Sequence, residues 1–233
     1  MDHQNNMSND NNTSLARLKD FIFVQKCIPW SISNRFKCWL ELKAHFNSPS
    51  LYTLIKYGRL KNIVSPLTKG PQHHFFGYYE KTPWNKSGNK ILSHQASFND
   101  RPPNAGDKVQ IGYISTTQLP GDFVTVAETS IWNWQQGAML QWSPTDPENT
   151  IIYNDYREGR YISIQRDLSS NDEVIYDLPA YALTQDGQYI FSLNFARLFD
   201  KRPGYGYAGL ADPFAEQKHP DKDGIFRLDT QSG

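Results

Sequence analysis

The chain has 233 residues, of which 38% are hydrophobic and 14% aromatic, and its 24 basic and 24 acidic side chains cancel to a net charge of zero. The charges are unevenly placed: residues 1–68 carry nine Lys or Arg against four Asp or Glu, whereas the remainder carries fifteen against twenty. An acidic, aromatic body argues against nucleic acid as a partner, since phosphate binding needs clustered Lys and Arg.

The two cysteines, Cys27 and Cys38, both lie in the basic part of the chain. This usage excludes a disulfide framework and favours a reducing compartment. The first residues do not have the pattern of a signal peptide, and no stretch approaches the roughly 18 apolar residues that span a bilayer. The sequence therefore predicts a cytoplasmic protein.

Residues 1–13 are polar and rich in Asn and Asp, which predicts a disordered tail. Residues 14–68, called the leader below, are basic and carry apolar residues at helical spacing. The best-marked helix has Ser48 as its N-cap, Pro49 at its first position and Gly58 just past its end. Basic amphipathic helices with Trp and Phe either pack on the body of a protein or lie on an anionic membrane surface, and both uses stay open here.

Residues 69–233 contain three copies of one β unit, at about 71–127, 131–177 and 179–233. Each copy begins with a short strand, passes through a hairpin rich in Pro, Asp and Gly, and continues with strands of alternating polar and apolar residues. Four short antiparallel strands per unit describe a propeller blade. We therefore predict an all-β fold, a β-propeller with four-stranded blades, preceded by an α-helical leader.

The third unit ends after its third strand, and a propeller ring closes with at least four blades. We expect the chain to be the N-terminal part of a longer ring of six or seven blades. The alternative is an open stack of sheets that is closed by oligomerisation, because open sheet edges pair with other chains.

Polar residues recur where the first strand of each unit begins and where the second strand ends. Alignment on Pro83 and Pro144 places His73-His74 opposite Trp134-Gln135 and His94-Gln95 opposite Asn154-Asp155. The insertion 195–223, which is rich in glycine and aromatic residues at 203–209, is a candidate lid. These positions predict a ligand site at the mouth of the channel, unless the polar groups merely line a water-filled channel. The predicted site residues are His73, His74, His94, Gln95, Arg101, Trp134, Gln135, Asn154, Asp155, Arg157, Asn194 and Arg197.

This set of side chains suits a saccharide, because aromatic faces stack on the C–H groups of a sugar ring and amides or guanidinium groups bind hydroxyls or carboxylates. If the site is catalytic, His74 is the candidate base or metal ligand, and Arg157 or Arg197 is the candidate for neutralising a carboxylate. The cofactor is not specified by the pattern, but His74, His94 and Gln135 are candidate ligands of a divalent metal.

Two motifs carry a family resemblance. Residues 73–84 (HHFFGYYEKTPW) and 132–139 (WNWQQGAM) resemble the signatures of a bacterial family of TolB-like propeller proteins associated with surface-polysaccharide gene clusters and sometimes labelled glycosyltransferase. The blades are more distantly similar to oligogalacturonate lyase, a propeller enzyme whose metal is held by His and Gln. The resemblance covers about residues 71–230.

The resemblance implies a protein that binds or acts on an oligosaccharide or polysaccharide in bacterial polysaccharide metabolism, with a lyase-like or other glycan-modifying activity if it is an enzyme. The alternative is a propeller scaffold for partner proteins without catalytic activity. In that alternative the leader, residues 14–68, makes peripheral contact with the inner membrane.

Overall fold

The structure, a computed structural model, describes residues 66–232. The predicted tail and the leader up to residue 65 lie outside the described residues. Residues 66–232 form eleven β-strands and one α-helix. The elements are β1 (His73–Phe75), β2 (Lys90–Ala96), β3 (Val109–Ser115), β4 (Phe123–Thr129), β5 (Gln141–Trp142), β6 (Thr150–Arg157), β7 (Arg160–Asp167), β8 (Glu173–Tyr176), β9 (Ala182–Leu183), β10 (Tyr189–Ser192), α1 (Phe195–Lys201) and β11 (Phe226–Asp229).

The strands form three antiparallel sheets, each of which follows the order of the chain. Sheet 1 contains β1 to β4, sheet 2 contains β5 to β8, and sheet 3 contains β9 to β11. The prediction of an all-β fold built from repeated antiparallel units is therefore confirmed. The third unit has three strands among the described residues, as the sequence predicted.

The first strand is displaced from its predicted position. The aromatic run of residues 75–79 (FFGYY) predicts the first strand of unit one over Phe75–Tyr79, but β1 spans His73–Phe75. Gly77 adopts a φ of +124°, and a Cβ at this position would lie 2.8 Å from the carbonyl oxygen of Gln136. Only glycine fits this backbone, and the chain leaves the sheet here. As a result, residues 78–81 form a loop.

The core lies between sheets 1 and 2 and comes from the apolar positions of their inner strands. Leu92 of β2, Ile111 of β3, Ile151 of β6 and Ile164 of β7 are fully buried in one cluster. Buried members of this cluster recur at every second position, as at Val109 and Ile111 of β3 and at Ile162 and Ile164 of β7, because alternate side chains lie on one face of a strand. Trp132, just before sheet 2, is buried in the same cluster.

The hairpins of neighbouring sheets contact one another in sequence order. Trp142 Nε1 donates to the carbonyl oxygen of Pro83 at 2.8 Å, and the Lys86 N–H donates to that of Pro147 at 2.9 Å. Towards sheet 3, a Cβ at Gly187 would lie 2.6 Å from Cγ2 of Thr145. Sheet 1 is therefore joined to sheet 2, and sheet 2 to sheet 3, at their hairpin ends.

In residues 66–232 no helix has the length and apolar character needed to cross a membrane.

Candidate functional site

The two predicted histidine ligands lie on opposite faces of sheet 1. In the pairing of β1 with β2, His74 is opposite Gln95 and Phe75 is opposite His94. Directly paired residues share a face, and adjacent residues do not, so His74 and His94 point apart. The predicted metal site of His74, His94 and Gln135 is therefore wrong. In the part of the chain that the structure describes, no group of three His, Cys, Asp or Glu side chains could hold a metal ion.

His94 is a core residue rather than a ligand. Its Nδ1 lies 3.3 Å from the carbonyl oxygen of Phe75, and its Nε2 accepts the Ala138 N–H at 3.0 Å. Burial lowers the pKa of His94 to about 4, so the ring is neutral at pH 7 and donates from Nδ1. Because both nitrogens are used inside the protein, the predicted role in substrate binding is corrected to a structural one.

Asn154 occupies the corresponding place in sheet 2. Its Oδ1 accepts the Ala180 N–H at 2.7 Å, while its Nδ2 donates to the Ala180 carbonyl and to the Tyr207 hydroxyl, both at 2.9 Å. The side chain is fully buried. The sequence alignment of His94 with Asn154 was sound, but its meaning is structural. Each residue connects the second strand of one sheet to the backbone that enters the next.

The three arginines predicted at the mouth are already paired with carboxylates. Arg157 bridges Asp155 and Glu173, at 3.1 and 3.2 Å. Arg101 pairs with Asp107. Asp155 also accepts the Thr129 hydroxyl at 2.9 Å, so its acceptors are directed into the protein.

Arg197 and Asn194 shape the connection between α1 and β11. Arg197 pairs with Asp212 at 2.9 Å and also donates to the carbonyl oxygens of Phe214 and Gln217. Asn194 caps α1 by accepting the Arg197 N–H at 3.0 Å, and its Nδ2 donates to Asp212. Both side chains therefore have structural contacts in this connection, while the predicted roles of Arg197 as catalytic and of Asn194 as substrate-binding stay predictions.

His73, His74, Gln95 and Trp134 remain partly exposed at the start of sheet 1 and the entrance to sheet 2. His74 Nε2 lies 2.9 Å from Gln95 Nε2. Burial, with a smaller effect of His73, lowers the pKa of His74, which favours a neutral ring. Trp134 Nε1 donates to the Arg101 carbonyl at 2.7 Å, and the ring centroids of Trp134 and Phe75 are 4.7 Å apart. Because Gln95 Nε2 can only donate, His74 Nε2 accepts this hydrogen bond in the neutral ring, and the role of His74 as a base stays a prediction.

The structure brings together four tyrosines that the sequence reasoning did not select. Tyr78 lies 4.6 Å from Tyr79 and 6.2 Å from Tyr205, between ring centroids. The pKa of Tyr181 is raised mainly by burial and by Glu80. Tyr205 and Tyr79 lie close enough to Tyr181 to add smaller effects in the same direction. We call these four residues the tyrosine cluster. They come from the loop after β1, the residue before β9 and the loop after α1.

Two cations and one carboxylate adjoin the tyrosine cluster. Lys81 Nζ lies 5.5 Å from the centroid of Tyr181 and 3.9 Å from Glu80 Oε1. Burial lowers the pKa of Lys81 and outweighs the opposite effect of Glu80. The guanidinium of Arg202 lies 4.4 Å from the centroid of Tyr205.

Gln135, a predicted site residue, lies beside the loop that contributes Tyr205 to this cluster. A Cβ at Gly204 would be 3.7 Å from Gln135 Cγ, so the side chain borders the loop that carries Tyr205. Asn133 holds the two segments together, because its Oδ1 accepts the Gln135 N–H and its Nδ2 donates to the Gly206 carbonyl. The candidate lid is thus packed on the entrance to sheet 2, with Tyr207 fully buried.

Comparison with protein-family models, with curated proteins and with solved structures found no match. The resemblance to TolB-like proteins and to oligogalacturonate lyase stays a prediction. The function is therefore argued from the site.

A signal for the tyrosine cluster was present in the sequence. Gly77 interrupts the aromatic run, and the segment 203–209 alternates glycine with tyrosine. Read as turn residues, these glycines would have placed Tyr78, Tyr79 and Tyr205 in loops rather than in a core strand. Their proximity to Tyr181 could not be read from the spacing, because it depends on how three sheets pack.

Proposed function

We propose that this protein binds a saccharide across the tyrosine cluster. The observation that carries the proposal is the convergence of four tyrosines from three separate segments at a surface where Tyr79 is 69% exposed. Tyr78, Tyr181 and Tyr205 are half-buried beside it, and aromatic rings grouped at a surface offer faces on which a ligand can stack. The proposal is for binding, and His74 stays the candidate base for any chemistry.

The chemistry around the rings favours a sugar over a wholly apolar ligand. The C–H faces of a pyranose stack on aromatic rings, while its hydroxyls need hydrogen-bonding partners. Gln135, Glu80 and the tyrosine hydroxyls supply donors and acceptors at the same surface. Glu80 and the tyrosine hydroxyls already interact with one another, and a sugar hydroxyl would extend these contacts, whereas an apolar ligand would not.

We further propose that the three sheets are blades of a TolB-like propeller. The support is their sequential contact through the hairpins at one end and through His94 and Asn154 at the other. In a propeller the first strand of each blade lies innermost, which would put the tyrosine cluster at the channel. Residues 66–232 form three separate sheets, which are fewer than the blades of a closed ring, so the number of blades stays a prediction.

Binding of oligosaccharides by the full chain tests the function. We expect Tyr205→Ala to weaken binding about five- to ten-fold, because a stacked aromatic ring contributes on the order of 1 kcal/mol. The measurement is a screen on a glycan array, followed by titration calorimetry with the saccharides that bind.

Tyr189→Ala is the matched control. Tyr189 lies on β10 with the guanidinium of Arg227 at 4.5 Å, much as Arg202 lies over Tyr205, but it is outside the cluster. We expect its affinity to stay within two-fold of the unmodified chain. Equal affinity of both variants and the unmodified chain, or no binding to any saccharide, would overturn the proposed function.

The alternative of a protein scaffold is favoured by one observation. Val174 and Ile175 are about half exposed on β8, the edge strand of sheet 2, and edges of this kind pair with other chains. Sedimentation of the full chain tests this use of the edge. A fall in mass on Ile175→Asp, without loss of saccharide binding, would show that the edge mediates assembly.

A further inference from the structure

Most arginines in the described part of the chain are neutralised by carboxylates. Five form ion pairs with Asp or Glu, namely Arg101, Arg157, Arg160, Arg166 and Arg197. Arg202 and Arg227 differ, because within residues 66–232 no carboxylate lies at ion-pair distance from either. Each instead stacks on a tyrosine, at 4.4 Å from Tyr205 and 4.5 Å from Tyr189. Of these two cations, Arg202 is the one that adjoins the tyrosine cluster.

The local backbone holds Arg202 in place. Its N–H donates to the Leu198 carbonyl at 3.0 Å, which ends α1, and its own carbonyl accepts the Tyr205 N–H at 3.1 Å. This turn sets the ring of Tyr205 beneath the guanidinium. A planar guanidinium resting on a ring keeps its N–H edges available and loses less conformational entropy when they bind. Arg202 is also exposed.

The charges around the cluster favour an anion. Among residues 66–232, the charged groups that contact the cluster are Arg202 beside Tyr205, and Lys81 and Glu80 beside Tyr181. Glu80 lies near Lys81 and Tyr181 and interacts with both. The Arg202 end of the cluster is therefore the more positive end. A neutral ligand would leave this guanidinium unused, whereas an oxyanion would accept two parallel N–H donors from its fork.

We propose that Arg202 binds an oxyanion substituent of the saccharide, a carboxylate or a sulfate, while the sugar ring stacks on Tyr205 and its neighbours. This inference rests on the saccharide binding proposed above and adds the class of saccharide. It also replaces the carboxylate-binding role that the sequence assigned to Arg157 and Arg197, both of which have acidic partners of their own.

The test uses the full chain and oligosaccharides of glucose, galactose and mannose, each in neutral, C6-carboxylated and 6-O-sulfated form. We expect the acidic members of at least one series to bind about ten-fold more tightly than the neutral member, the strength of a charge-assisted hydrogen-bond pair. The carboxylated and sulfated arms identify the substituent. Raising the salt concentration should reduce the preference.

Arg202→Gln should bring the acidic and neutral members to within about three-fold of each other, because it removes the charge and the paired N–H donors. Arg202→Lys, which keeps the charge but not the fork, should fall between. Arg227→Gln is the matched control and should keep the full preference. Thermal unfolding of each variant checks that the fold is intact.

Three results would overturn the inference, and they separate it from the proposed function. Saccharide binding with no preference for acidic members, or a preference that survives in Arg202→Gln, would overturn the role of Arg202 and leave saccharide binding standing. Absence of binding to every member would overturn both.

Discussion

Replacing Asn154 by leucine is expected to lower the free energy of unfolding by about 4 kcal/mol. Leucine has a similar volume, so little cavity forms, but the Ala180 N–H and carbonyl and the Tyr207 hydroxyl lose their partner. Each buried polar group left without a hydrogen bond costs about 1–3 kcal/mol. The change also removes a connection between sheet 2 and the backbone that enters sheet 3.

Urea unfolding of the full chain, followed by tryptophan fluorescence, measures this effect. Asn104→Ala is the control, because Asn104 is exposed and forms its hydrogen bonds to Asp107 through its backbone N–H and carbonyl oxygen. Its free energy of unfolding should change by less than about 0.5 kcal/mol. A loss below about 1 kcal/mol for Asn154→Leu would contradict the structural role of this side chain.

Acidification from pH 7.5 to pH 5 is expected to destabilise the protein by about 2 kcal/mol through His94 alone. The unfolded chain takes up a proton near the ordinary pKa of 6.5, whereas the folded ring resists protonation down to about pH 4. Between these values the unfolded state binds more protons, so stability falls as the pH falls. Below about pH 4 both states are protonated, and the contribution of His94 becomes constant.

His94→Gln isolates this contribution. A glutamine can donate to the Phe75 carbonyl and accept the Ala138 N–H, as the histidine does, but it does not titrate. We expect this variant to remain folded at pH 7.5 and to lose most of the pH dependence. His74, whose pKa burial also lowers, leaves a smaller slope of the same sign. An unchanged slope in His94→Gln would refute the assignment.

The strand pattern was predictable because it depends on neighbours along the chain. The alternation of polar and apolar residues and the hairpins at Pro83 and Pro144 located the strands of sheets 1 and 2 to within a few residues. The exceptions are the first strands of the two sheets: the sequence predicted Gly137–Gln141 where β5 spans Gln141–Trp142, and the aromatic run suggested a strand through Tyr79 where β1 ends at Phe75. There the special conformation of Gly77 decided the outcome, and it arises from close contact with Gln136, a residue distant in sequence.

The site was harder to predict, because a polar residue at the end of a strand can bind a ligand or join two sheets. Asn154 and Arg157 look equally suitable in the sequence. In the structure the first is used by the backbone at Ala180 and the second by Asp155 and Glu173. Which polar groups remain available depends on partners supplied by other sheets.

Local sequence was sufficient to specify the antiparallel strands, the hairpins and the repetition of one unit, since these follow from side-chain alternation and turn residues. It was also sufficient to align His94 with Asn154. The tertiary structure alone decided that these two residues join sheets and that Tyr78, Tyr79, Tyr181 and Tyr205 share a surface. The physical reason is that burial and pairing are set by contacts between segments far apart in the chain, and spacing carries no information about them.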